Sequence, residues 1–189
     1  MKVLLIGPPG SGKGTQGARL AGQLGVEHIA TGDLLRAEVA AHSEIGREVS
    51  SLLDRGELVP DSIIFDLVMP RVAAAAASGG YLLDGFPRSI DQAVEARKLA
   101  DRAAAAPDAV IYLDVHRDEL MRRILARAPE QGRTDDTEAT VEKRLVVFEE
   151  ATRPLVEYYR DRGLLSVIDA AQGERAVTAA ILAALGVTS

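Results

Sequence analysis

The 189-residue chain is 47% hydrophobic with a formal net charge of −6, enough apolar content for one well-buried core and too acidic for a broad nucleic-acid surface. It contains no Cys and no Trp, which excludes a disulfide framework and a Cys-ligated zinc site and leaves little for stacking on single strands. With no basic leader and no apolar run of membrane-spanning length, the expectation is a cytoplasmic protein with neither a membrane nor a nucleic-acid partner.

The first element is the apolar run Val3–Ile6, read as a strand that enters the turn Gly7-Pro8-Pro9-Gly10-Ser11-Gly12-Lys13-Gly14-Thr15. Glycines let successive backbone N–H groups point at one anion, the helix predicted over 13–24 presents its positive end, and Lys13 reaches the outer phosphates of a nucleotide. A side chain at Gly10 would take the phosphate's space. Gly14 stands where this motif usually has Ser or Thr, and the hydroxyl arrives at Thr15, so direct ligation of Mg²⁺ by that hydroxyl is not required.

Further along, a weaker strand pattern covers 26–29, and helical patterns cover 33–54 in two pieces and 62–77. The strand Tyr81–Leu83 runs into Asp84-Gly85-Phe86-Pro87-Arg88, where a carboxylate beside the phosphate loop suits either Mg²⁺ held through waters or a turn and helix cap. Ser89-Ile90-Asp91-Gln92 fits a capping box for a helix over 90–104, with Gln92 reaching back to the Ser89 N–H. A strand over Val110–Leu113, a helix over 118–127, the short loop Ala128–Gly132 and a helix over 138–161 follow, the last interrupted at Pro154. Asp135 and Asp136 stand as helix-entry and flap-latching residues. The strand Leu165–Ile168 and a helix over 174–185 complete the pattern.

Strands alternating with helices specify a parallel sheet wrapped on both faces, with ligands beyond the carboxyl ends of the strands. Arg122, Arg123, Arg127, Arg133 and Arg144 make a basic cluster in an acidic chain, which points to a small polyanion. Arg123 and Arg127 lie four apart on one helical face, where like charges repel in the absence of an anion. His28, His42 and His116 fall in no motif and have no partner at ligand spacing, so surface or edge positions are expected for them.

Six segments, Gly7–Thr15, Thr31-Gly32-Asp33-Leu34-Leu35-Arg36, Gly56-Glu57-Leu58-Val59-Pro60, Asp84–Arg88, Gly132-Arg133-Thr134-Asp135-Asp136 and Glu142-Lys143-Arg144, together resemble the adenylate kinase family in order and spacing. The resemblance implies a P-loop NTPase-like fold with a five-stranded parallel sheet and helices on both faces. It also implies one domain over 1–189, with a helical AMP-binding insertion at about 30–59 and a short lid at about 126–136. The implied reaction is reversible transfer of a phosphoryl group from Mg·ATP to AMP, giving two ADP, in a monomer that uses Mg²⁺ and no zinc.

By the same resemblance, Lys13, Arg88, Arg123, Arg133 and Arg144 form the cationic cage around the moving group. Gly10, Ser11, Gly12, Lys13, Gly14, Thr15, Arg123, Arg127 and Gln172 bind ATP. Thr31, Arg36, Glu57, Leu58, Val59, Gly85, Phe86, Pro87, Arg88, Gln92, Arg133 and Arg144 bind AMP, and Asp84 holds Mg²⁺ through water. Asp33 either assists that metal through water or serves the first turn of its helix. A UMP/CMP kinase shares the cradle and arginines; Thr31 and Gln92 favour adenine over that alternative. A nucleotide-dependent switch would keep the cradle without a second nucleotide site, and the chain has no Asn for a guanine-reading motif.

Overall fold

Alternation along the central strand explains the layering. In β1 (Lys2–Ile6), Val3 and Leu5 face one apolar cluster while Leu4 and Ile6 face another, and all four are buried. A strand covered on both faces reads as a continuous apolar run, as Val3–Ile6 does. The computed structural model describes residues 1–131 and 137–187, the side chains of 127–131 excepted. Within them β2 (Glu27–Ala30), β3 (Tyr81–Asp84), β4 (Ala109–Asp114) and β5 (Leu165–Asp169) join β1 in a five-stranded parallel sheet of order β2-β3-β1-β4-β5. The weak pattern at 26–29 is thus a real strand, at the sheet edge. Because β1 and β3 are neighbours with Leu5 opposite Asp84, the glycine-rich turn and the Asp84–Arg88 turn leave the sheet side by side.

Helices α1 (Lys13–Leu24), α6 (Arg117–Gln131), α7 (Glu138–Val147) and α9 (Glu174–Ala184) cover the face bearing Val3 and Leu5. The opposite face is covered by α2 (Thr31–Ala40), α3 (Glu44–Asp54), α4 (Asp61–Ala77), α5 (Ile90–Arg102) and α8 (Leu155–Arg160). In α4 the buried residues Ile64, Val68, Val72 and Ala75 hold one stripe against the core, and Pro70 is kept on the exposed side. Among the described residues no helix is long and apolar enough to cross a membrane.

Two expectations are corrected. Helix α6 continues to Gln131, so Ala128–Gln131 lie on a helix and not in a loop; the remainder of the expected lid, 132–136 with Arg133, Asp135 and Asp136, lies outside the described residues. The expected helix over 138–161 is three pieces, α7, a π-helical turn over Phe148–Thr152, and α8. Pro154 has no N–H to continue the α-helical ladder, and Arg153 N bonds Phe148 O, five residues back, at 2.8 Å. That turn carries the chain from one core cluster to the other, Leu145 packing on one face and Phe148 on the other.

Candidate active site

The phosphate loop is shaped by glycines that no other residue replaces without strain. Gly10 and Gly12 have φ of +82° and +94°, and Gly12 caps α1. A side chain at Gly10 would also meet Ile124 Cγ1 at 2.7 Å and Leu120 O at 3.0 Å, so this glycine answers to the packing of α6 as well as to phosphate space. Ser11 is buried and its Oγ has no hydrogen-bond partner among the described residues. Lys13 Nζ donates to Gly7 O at 2.7 Å and Pro8 O at 3.0 Å, which places the ammonium over the loop. Gly14 and Thr15 lie exposed in the first turn of α1.

Beside the loop stands Asp84, partly buried at the end of β3. Desolvation pushes its carboxyl above the usual range, while Lys13, His28 and Arg88 pull it down and Asp33 pushes it up. A single carboxylate here fits Mg²⁺, which keeps several waters and takes its other oxygens from phosphates, while the neighbouring cations suit the phosphates themselves. No group of three or more acidic, His or Cys side chains able to hold a metal occurs among the described residues. His28 sits on edge strand β2, with Nε2 buried against Gly17 and without a partner among the described residues.

Arg88 is held from three directions. Its Nε donates to Gly85 O at 2.8 Å, its backbone N–H to Gln92 Oε1 at 2.7 Å, and its carbonyl accepts from Thr152 Oγ1 at 2.8 Å. Burial pushes the guanidinium below its ordinary range; Asp84 opposes this, and Arg144 and Arg36 push it further down. Arg36 and Arg144 thus lie close enough for the Arg88 guanidinium to feel their charge. Arg36 itself is paired with Asp33, and Arg144 donates to Leu53 O at 3.3 Å.

Leu58, Val59, Gly85, Phe86, Arg88 and Gln92 line one cleft between the insertion and the start of α5. Thr31, 1% exposed, stands beside Gly85 with its Oγ1 unpaired among the described residues. Pro87 lines a separate apolar cavity behind Phe86. Glu57 does not point at the cleft: Arg55 and Lys143 bind its carboxylate at 3.0 and 2.7 Å, Arg55 first and Lys143 second holding it down to about 2. The capping box is also altered. Ser89 Oγ accepts from Gln92 N at 3.1 Å as expected, but Gln92 Oε1 takes the Arg88 N–H instead of that of Ser89.

On the other side, Arg123 donates to Glu119 Oε1 at 2.7 Å and to Ala170 O at 2.9 Å, joining α6 to the loop after β5 that carries Gln172. Glu119, shared with Arg122, supplies the counter-charge that the Arg123–Arg127 spacing alone left out. Arg127 is on α6 with its side chain outside the description.

A family model described as adenylate kinase matches residues 5–164. The adenylate kinase of Kocuria rhizophila is 45% identical over 184 residues, covering 97% of this chain and 98% of its own length. The chain belongs to the adenylate kinase family. The adenylate kinases of Stenotrophomonas maltophilia and Thermobifida fusca are 44% and 43% identical over 185 residues, each covering 98% of this chain, with 99% and 98% of their own lengths covered. The chain is therefore a nucleoside monophosphate kinase whose reaction is reversible phosphoryl transfer between ATP and AMP, with ADP as product. Membership in the adenylate kinase family decides against the pyrimidine-kinase and switch alternatives. Sequence reasoning overlooked Glu119, Thr152 and Asp61; of these only Glu119 carried a local signal, its i,i+4 spacing to Arg123.

Proposed function

We propose that this adenylate kinase divides its work between two sites on either side of the phosphate loop. Gly10, Ser11, Gly12, Lys13, Gly14 and Thr15 cradle the phosphates of ATP, and Arg123, Arg127 and the loop at Gln172 hold the rest of that nucleotide. Arg36 and Arg88 bind the phosphate of AMP, with its base in the cleft lined by Leu58, Val59 and Gln92 and bordered by Thr31; Glu57 contributes backbone alone. Lys13, Arg88, Arg123, Arg133 and Arg144 surround the transferred group, whose transition state spreads negative charge and calls for cations more than for a base. Asp84 would hold Mg²⁺ through water, and the bound metal would supply neutralisation of phosphate charge.

The observation that carries this reading is the side-by-side exit of the glycine-rich turn and the Asp84–Arg88 turn from neighbouring strands β1 and β3, with Arg88 Nε held on Gly85 O at 2.8 Å. Closure of the insertion at about 30–59 and the lid at about 126–136 excludes the water that would hydrolyse ATP. A single chain that carries both sites needs no partner, and we take it to act as a cytoplasmic monomer. Steady-state kinetics test the roles: Lys13→Met and Arg88→Ala are expected to fold, by circular dichroism, yet lose about 10²-fold or more in turnover. Near-normal turnover in either variant removes that residue from the mechanism.

A further inference from the structure

Gln92 is 3% exposed, and both ends of its amide are committed. Oε1 accepts from the Arg88 backbone N–H at 2.7 Å, and Nε2 donates to Asp61 Oδ1 at 2.7 Å across 31 residues of sequence. A backbone N–H can only donate and a carboxylate can only accept, so the two partners hold the amide in one orientation together, each pinning one end. Each end keeps one further capacity, a second N–H on Nε2 and a second lone pair on Oε1, and Gln92 lines the cleft assigned above to the AMP base.

A primary amide free to turn over presents its donor and acceptor in either order. It would accept a 6-amino purine, which offers a donor at the exocyclic nitrogen and an acceptor at N1, as readily as a 6-oxo purine, which offers the reverse. Locking the order removes that ambiguity. We infer that Asp61, the first residue of α4, is a specificity-determining positioning residue: it fixes the Gln92 amide in the orientation that pairs with an amino base and opposes an oxo base. The inference rests on the reading that Gln92 faces the base of AMP.

Asp61 is exposed and touches the nucleotide only through Gln92 in this account, so its loss should leave the ATP side alone. The experiment measures KM for AMP, KM for ATP, kcat, and the AMP-to-IMP preference in kcat/KM for Asp61→Ala, Asp61→Asn and Gln92→Leu. Asp61→Ala is expected to raise KM for AMP about tenfold and to narrow the AMP-to-IMP preference by a similar factor, with KM for ATP unchanged. Asp61→Asn, whose side-chain oxygen still accepts, is expected to restore both. Should the alanine variant fold poorly, Asp61→Met covers the same surface without accepting a hydrogen bond.

An unchanged KM for AMP and unchanged base preference in Asp61→Ala, alongside a raised KM in Gln92→Leu, overturns the role of Asp61 and leaves the base-reading role of Gln92 standing. An unchanged KM for AMP in Gln92→Leu overturns the base reading itself, and the inference with it. Equal losses in kcat and in both KM values for Asp61→Ala indicate a merely structural residue and also overturn the inference.

Discussion

Gly10 and Gly22 both lack a Cβ and face opposite constraints. Gly10 combines a φ of +82° with backbone and side-chain atoms of α6 within 3.0 Å of where a Cβ would stand, whereas Gly22 lies on the exposed side of α1 with nothing within 4 Å. An alanine in an open helix interior restricts the unfolded chain and improves helix propensity, by about 0.5–1 kcal/mol. Gly22→Ala should therefore raise the unfolding free energy by about that amount, read as a higher urea midpoint at unchanged m, with turnover unchanged, while Gly10→Ala should lower the midpoint and weaken ATP together. A stabilised Gly10→Ala would show that α6 yields more readily than its packing indicates. The cradle itself was legible because all its residues are contiguous. Asp61 and Thr152 were not, since their partners Gln92 and Arg88 lie 31 and 64 residues away. The same contact changes how Gln92 can be probed: Gln92→Glu, neutral on the capping pattern alone, would set a carboxylate against that of Asp61, so it cannot separate capping from base reading.

Between elements, the insertion is tied to α7 by contacts that no local pattern announces. Lys143 pairs with Glu57 at 2.7 Å, Thr140 Oγ1 donates to Asp54 O at 3.3 Å, and Arg144 donates to Leu53 O at 3.3 Å. Helices α2 to α4 were legible from apolar spacing, and the break near Pro154 from the missing N–H. The π-helical turn before it was not, and Thr152 within it donates to the Arg88 carbonyl, a tertiary contact that no local pattern shows. The tie to α7 has a pH signature. Arg55 and Lys143 hold the Glu57 carboxyl down to about 2 in the fold, against an ordinary value of 4.5. A depressed carboxyl contributes stability that is present above its unfolded value and is lost as pH falls through its folded value. Glu57→Gln should therefore lower the urea midpoint slightly near neutral pH, and the gap to the parent should close between about pH 4.5 and about pH 2. Because the pair is exposed, the gap should also shrink in high salt. A gap independent of pH would assign the effect to packing and not to charge.

Across the whole molecule, strand order determines what meets. The sheet brings the carboxyl ends of β1 and β3 together, so the phosphate loop, Asp84 and Arg88 converge although α1 to α4 lie between them in the chain. The alternation of strands and helices was enough to read a parallel sheet wrapped on both faces, and the two regions proposed for the nucleotides lie on either side of β1. One region is the cleft between the insertion and α5; the other is the loop after β5 that Arg123 holds through Ala170 O. If both regions take a nucleotide and their phosphates meet at Arg88 and Lys13, one ligand with two adenosines joined by five phosphates should span them. Binding its first half makes the second contact intramolecular, and the gain is governed by effective concentration without any new interaction. Isothermal titration should therefore find this ligand bound with one-to-one stoichiometry and far more tightly than ATP or AMP alone. It should raise the unfolding temperature above that reached with either mononucleotide at equal concentration, as a ligand selective for the folded state does. Removing one end tests the geometry. Gln92→Leu should weaken the linked ligand and AMP alike while leaving ATP unaffected, because only one adenosine occupies the cleft. Equal affinity for the linked ligand and for ATP in the parent protein would mean that the two regions are not within a pentaphosphate's reach of each other, and would refute the paired arrangement on which the cage of arginines depends.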